Sequence, residues 1–223
     1  MYRILIPVIA GCVLSACATT KDMALNEDTK TIDTSKESIV LVALDVFRSD
    51  GSRYTPEPEF MWVNKGSDLE KKDLIKFELD SDDAENRDGH GVLLASMALA
   101  PGEYNLYSIN GEARGFPFRG FFDVPIHQNF TVKQGRITYI GHITARLRPR
   151  SDKEYRAGPV IPLIDQAATG LSGGTWDTTI EDMSAKDIPS YRARFSALSS
   201  EAIVTDSLPA FDRAAIQRWW ESH

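Results

Sequence analysis

Cysteine is nearly missing from this chain of 223 residues: there are two, Cys12 and Cys17, both close to its start. The rest has no thiol for a disulfide, a cysteine nucleophile or a cysteine-ligated metal, so stability has to come from packing. Histidine is also sparse. His90, His127, His142 and His223 stand alone, none within five residues of another, whereas a zinc site usually shows a close pair. Positive charge is in deficit, with 25 Lys+Arg against 32 Asp+Glu and a net charge of -7. That argues against nucleic acid and against electrostatic attachment to anionic lipid. The first apolar run, Ile4 to Val13, is broken by Pro7 and Gly11 and is too short for a spanning helix. Hydrophobic residues at 42% and charged residues at 26% are ordinary, and they suffice for a globular core.

The start of the chain carries a different signal. Arg3 precedes the apolar run, and Leu14-Ser15-Ala16-Cys17 ends it with small residues and a cysteine, the pattern of a secretory signal. This tetrad resembles the bacterial lipobox. The resemblance implies cleavage before Cys17 and acylation of Cys17 on its sulfur and its new amino group; an ordinary signal cut nearby, at Ala18 for instance, is the alternative. Ala18 follows the cysteine where an Asp commonly retains such proteins in the inner membrane, so the resemblance favours the outer membrane of a Gram-negative bacterium. Acyl chains at about 0.8 kcal/mol per buried methylene would anchor without spanning. Removing 1 to 16 leaves 207 residues at a net charge of -8. Residues 17–38 then form the lipidated N-terminus and a polar, flexible tether reaching on the order of 25 Å.

From Ile39 the texture is that of strands. Ile39 to Phe47 is almost continuously apolar and β-branched, which predicts a central strand buried on both faces. Phe60 to Val63, Leu74 to Leu79, Val92 to Ala98, Glu103 to Ile109 and Phe130 to Val132 follow as short strands, with a Gly- and Pro-rich connection over 110–128. Arg136 to Leu147 alternates throughout, with Tyr139 and Ile143 on one face and His142, on the other, expected toward water. Short strands with turns between them predict an antiparallel β-sandwich over 39–148. A loop-rich extension over 149–223 carries two C-terminal α-helices, one capped by Asp187 and one by Ser207. Leu99-Ala-Pro-Gly102-Glu-Tyr104, then Phe130-Thr-Val132-Lys-Gln-Gly135 and Ile137-Thr-Tyr139-Ile140-Gly141, resembles the prealbumin-like sandwich modules of uncharacterised bacterial lipoproteins. The resemblance implies a fold and no catalytic residue.

Four groups of residues could carry chemistry. Gly170-Leu171-Ser172-Gly173-Gly174 matches a nucleophile elbow, with Asp212 and His223 as the only triad order downstream, but no convincing strand precedes Ser172 and a flexible loop fits as well. Asp80, Asp82, Asp83, Glu85 and Asp88 offer oxygens to calcium without EF-hand spacing, and a solvated turn is the simpler reading. No other cofactor or metal is expected. Gly115 to Phe122 holds four phenylalanines in seven residues. They plug an open edge of the sandwich, or Phe116, Phe118 and Phe121 form an exposed patch rimmed by Arg114 and Arg119, suited to a protein, lipid or sugar. Arg146, Arg148 and Arg150 form a basic stripe, read as a protected edge or as a surface for carboxylates or lipid phosphates. The expectation is a lipid-anchored, non-catalytic binding or structural module of the envelope, facing the periplasm or the cell surface, whose partners are the membrane and another envelope protein. A hydrolase using Ser172 and an extracytoplasmic ligand sensor are the alternatives.

Overall fold

The apolar run from Ser38 becomes β2 (Ser38–Arg48), and its two-sided burial has a direct cause. Val40, Val42, Leu44 and Val46 face the space between two sheets, while Ile39, Leu41 and Ala43 face outward beneath a helical layer. Each such Val or Leu removes apolar surface worth on the order of 1.5–3 kcal/mol. The computed structural model describes residues 19–67, 74–80, 84–151, 153–160 and 166–223.

One sheet runs β1 (Thr19–Lys21), β4 (Leu74–Glu78), β3 (Thr55–Lys65), β7 (Gly102–Gly115), β8 (Phe118–Val132). The other runs β10 (Gly174–Glu181), β9 (Ile137–Pro149), β2, β6 (His90–Leu99), β5 (Glu85–Arg87), with β11 (Ile203–Thr205) also on β9. The structure is mainly β, two open sheets stacked as a sandwich, with short helices late in the chain. β2 is central, as its composition requires.

The sheets are mixed, which corrects the expectation of a purely antiparallel sandwich. β2 runs parallel to β9, β1 to β4 and β11 to β9. Alternation of side chains reports which face a residue occupies and says nothing of strand direction.

The connection expected over 110–128 is instead the upper half of a long hairpin, β7 paired to β8 out to Gly115 and Phe118. Its glycines are sites of close approach. A Cβ on Gly111 would stand 2.0 Å from the Glu57 carbonyl oxygen, and one on Gly120 would stand 2.4 Å from Thr169 Oγ1. Pro125 is accommodated because β8 is an edge strand with a register break opposite it.

Both ends of the chain close the sandwich. The tether expected over 17–38 is ordered in its described part, 19–38, because it has backbone to pair and an apolar side chain to bury. Thr19 to Lys21 pair with Ile75 to Phe77, Ala24 N donates to Ser96 O at 2.8 Å, and Leu25 is buried on the outer face of the second sheet. At the opposite edge, Ala157 N donates to Gly174 O on β10 and its carbonyl accepts from Asp123 N on β8, each at 2.8 Å. The extension over 149–223 thus supplies sheet strands as well as helices. α1 (Gln166–Thr169) lies against β8, α2 (Ser184–Arg194) covers the second sheet, and α3 (Arg213–Ser222) sets Ile216 into the core. Asp212, and not Ser207, caps α3, its carboxylate accepting from Ala215 N at 2.9 Å. α2 begins three residues before Asp187, so Asp187 sits in its first turn with its side chain buried.

Candidate functional site

A cleft of about 680 Å³ lies on the outer face of the first sheet, walled by α3 and by residues 156–159. Its rings are Trp62, Tyr107, Phe121, Trp219 and Trp220. Three of the four tryptophans in the chain are therefore here, and the fourth, Trp176, fills the core. The elements that place them can be read strand by strand. Trp62 stands on β3 between Lys76 on β4 and Ser108 on β7. The β7–β8 register breaks between Leu106 and Ser108, and His127 opposite takes φ +50. The break leaves Tyr107 and His127 at 4.7 Å, and Trp219 of α3 meets the His127 ring edge-on at 4.6 Å. Bulges of this kind re-aim side chains beside functional surfaces.

The polar lining is Ser108, Asn110, Asp123 and Arg156. Ser108 donates to Asn110 Oδ1 at 3.0 Å, and Asn110 Nδ2 donates to Asp123 Oδ1 at 3.1 Å. Arg156 is held by the Ser172 carbonyl at 2.7 Å. Burial, with the Asp123 charge added, pushes the Tyr107 hydroxyl up to about 12, so it stays protonated at neutral pH.

The hairpin tip continues this surface. Phe116 is 91% exposed, Phe118 38% and Phe121 39%, whereas Phe122 is buried against Trp176 with ring centroids 5.3 Å apart. One phenylalanine of the four is a core plug and three face outward. Arg114 and Arg119 both bond Glu112, Arg114 through Nε at 2.7 Å and Arg119 through Nη2 at 2.5 Å, and Arg114 also bonds Glu59. Burial pushes the Glu112 carboxyl up, but these guanidinium bonds outweigh it and hold it below the usual range.

The second sequence candidate has a different fate. β9 lies between β10 and β2 over the part that bears the arginine stripe, so the stripe is no edge. Arg146 bonds Asp177 at 3.0 Å, Arg148 bonds Asp177 at 2.8 Å and Glu154 at 2.6 Å, and Arg150 bonds the Glu154 carbonyl at 2.7 Å. These cations tie β9 to β10 and to the following loop. Ser172 shares no hydrogen bond with Asp212 or His223: Asp212 caps α3, and His223 Nδ1 meets the Trp219 carbonyl at 2.9 Å. Of the calcium candidates, Asp82 and Asp83 lie outside the described residues, Glu85 pairs with Arg87 at 2.8 Å, and Asp88 pairs with Lys186 at 3.7 Å. Among the described residues no three acidic, histidine or cysteine side chains are grouped to hold a metal. Cys17 also lies outside the described residues.

His142, expected toward water, is buried. A bulge at Gly141, φ +125, shifts the β2–β9 register, so Tyr139 and His142 emerge on the same outer face and meet Asp187 of α2. Asp187 accepts from Tyr139 Oη at 2.5 Å, from His142 Nδ1 at 2.9 Å and from Arg87. Burial raises its carboxyl, but the bonds from His142, Tyr139 and Arg87 prevail and hold it below the usual range. With Asp187 fully buried, this cluster is the polar pin that fixes α2.

Sequence reasoning found the hairpin rings but not the cleft behind them. One signal was present: Trp219 and Trp220 are about 100° apart on a helix, so both cannot lie at the centre of one buried stripe. The fold and the cleft define a mainly β sandwich with a ring-lined surface site. Comparison with protein-family models, with curated proteins and with solved structures finds no match.

Proposed function

We propose that this protein is a lipid-anchored, non-catalytic binding module of a bacterial outer membrane, and that the cleft of Trp62, Phe121, Trp219 and Trp220 with the adjoining hairpin tip is its working surface. One observation carries the reading. Three of four tryptophans line a cleft on one outer face together with Phe121, and Phe116 and Phe118 stand exposed at the hairpin tip beside it, where packing alone would have drawn such rings into the core. The prealbumin-like assignment over 39–148 and acylation at Cys17 belong to the same proposal. β1 starts two residues after Cys17, a reach of about 7 Å at most, so an acyl group on Cys17 would seat the β1–β4 edge at the bilayer surface.

Two measurements test it. Metabolic labelling with palmitate should mark the wild-type chain and not Cys17→Ser. Crosslinking in intact cells should capture a defined envelope component with the wild type and lose it with Phe118→Ser, Phe121→Ser at matched abundance. Capture that is absent, or indifferent to the hairpin, would sink the binding reading.

A further inference from the structure

We propose that the cleft binds pyranose sugars, as a stretch of neutral oligosaccharide; this rests on the reading of the cleft as a binding site and adds its ligand class. A pyranose ring has two surfaces of unlike chemistry, a face of C–H groups and an edge of hydroxyls. The cleft has both complements within one concavity. Half-buried Trp62, Trp219 and Trp220 give flat apolar surfaces, Trp219 with one face already stacked on His223 at 4.8 Å, and Asn110 and Asp123 give planar polar groups beside them.

The polar floor is ordered before any ligand arrives. The bonds from Ser108 to Asn110 and from Asn110 to Asp123 fix the amide orientation and use its N–H groups, since Nδ2 also faces the Phe122 carbonyl at 3.4 Å. The floor then presents acceptors at Asp123, a carboxylate having about four lone-pair sites of which Asn110 takes one, and donors at Arg156. Hydroxyl or acetamido N–H donors satisfy acceptors; Asp123 and Arg156 carry opposite charges, so the lining as a whole has no net attraction for a phosphate or carboxylate. A fatty acyl chain would desolvate Asn110 and Asp123 without replacing their bonds to water, which disfavours it. The volume of about 680 Å³ falls within the range of small-ligand clefts, about 300–1,000 Å³.

The tryptophans supply their own readout. The test uses the mature chain extracted in a detergent without sugar headgroups, titrated with β-1,4-linked glucose and N-acetylglucosamine tetrasaccharides, with laurate and tetraalanine as probes of other chemistry. Tryptophan fluorescence and calorimetry follow binding. The expected result is a saturable emission change with at least one tetrasaccharide, weakened about tenfold or more in Trp62→Ala and in Asp123→Asn. Both variants should melt as the wild type does, which separates loss of binding from loss of fold. Co-sedimentation with cell-wall sacculi and with lipopolysaccharide micelles then tells a wall glycan from a lipid-borne one, and capture by either supports the proposal. Saccharide binding that ignores both substitutions overturns it. Binding of laurate or peptide with no saccharide overturns the sugar inference and leaves the binding module standing. If no probe binds and crosslinking is also indifferent to the hairpin, both fall.

Discussion

Removing the carboxylate of Asp187 should be among the most costly single changes available in this protein. Asp187 is fully buried, and three donors converge on it from two strands: Tyr139 and His142 on β9, and Arg87 on β5. In Asp187→Ala the guanidinium of Arg87, itself largely buried, keeps only Glu85. Breaking one side of a buried pair costs about 3–5 kcal/mol, because the other charge stays behind uncompensated. For a chain of this size that corresponds to a fall of about 6–20 °C in melting temperature. A cycle with Tyr139→Phe isolates the bond: alone this change should cost about 1.5–3 kcal/mol, the range for hydrogen bonds to a charged group, and in the Asp187→Ala background almost nothing. The pH dependence has a definite sign. The Asp187 carboxyl is lowered on folding, so its contribution is complete above the unfolded value near 3.9 and is lost as pH falls through the folded one. The gap between wild type and Asp187→Ala should therefore be full at pH 7 and shrink in acid below about pH 4. Urea titration and thermal melts of both proteins at pH 7 and in acid measure it. A gap below about 1 kcal/mol at pH 7, or a Tyr139→Phe cost that is the same in both backgrounds, would refute the idea that this cluster pins α2.

Asp45 should behave in the opposite way. Its Oδ1 is buried without a hydrogen-bond partner among the described residues, Oδ2 stands 3.6 Å from His90 Nδ1, and burial raises its carboxyl against the pull of His90, His142 and Arg87. An acid raised on folding costs stability at pH 7, so Asp45→Asn should gain about 1 kcal/mol in a urea titration there, with the gain fading toward pH 4. The hairpin rings should separate cleanly by melting: Phe116→Ser within about 0.5 kcal/mol of wild type, Phe122→Ala lower by about 3–5 kcal/mol. Ser172→Ala should leave both capture in cells and thermal stability unchanged; a hydrolytic activity that it abolished would reinstate the nucleophile.

Much of this was legible in the sequence, for identifiable reasons. A run with apolar residues at successive positions, such as Ile39 to Phe47, leaves no wet face, and β2 is accordingly central. Where the chain departs from simple alternation, the pattern misleads. Gly141 inserts one residue into β9, so Ile137 and Tyr139 face outward while Ile143, Ala145 and Leu147 face the core, although all five share one parity. That single bulge also carried His142 from its expected wet face into the Asp187 cluster. Gly111, Gly115 and Gly120 read as loop residues because a glycine permitting close approach and a glycine breaking a strand look alike in one dimension. The hairpin rings were recognisable because four phenylalanines crowd one stretch, and the cleft behind them was not, because its walls come from β3, β7, β8 and a helix nearly a hundred residues later.

The poverty of cysteine has a structural consequence at both ends of the chain. Two open sheets leave two seams, and in place of a covalent link each is laced by a terminal segment. Residues 19–25 cross from the β4 edge to the outer face of β6, with Lys21 Nζ reaching the Ala98 carbonyl at 3.1 Å. At the other seam, Ala157 joins β8 to β10, Tyr155 donates to the Trp176 carbonyl at 2.9 Å, and Arg213 of α3 bonds Glu154 at 2.8 Å. The sandwich expected from the sequence stops at residue 148, yet the extension places Trp176 in the core between the sheets and Phe195 under the helical layer. Loss of those two rings alone amounts to about 6–10 kcal/mol by analogy with large-to-small substitutions, against a total stability of about 5–15 kcal/mol. A chain trimmed to residues 39–148 should therefore show no cooperative melting, whereas the chain over residues 17–223 should melt in one transition. Cooperative unfolding of the trimmed chain would mean that the termini only decorate a self-sufficient sandwich, and that the seams are closed by something other than these contacts.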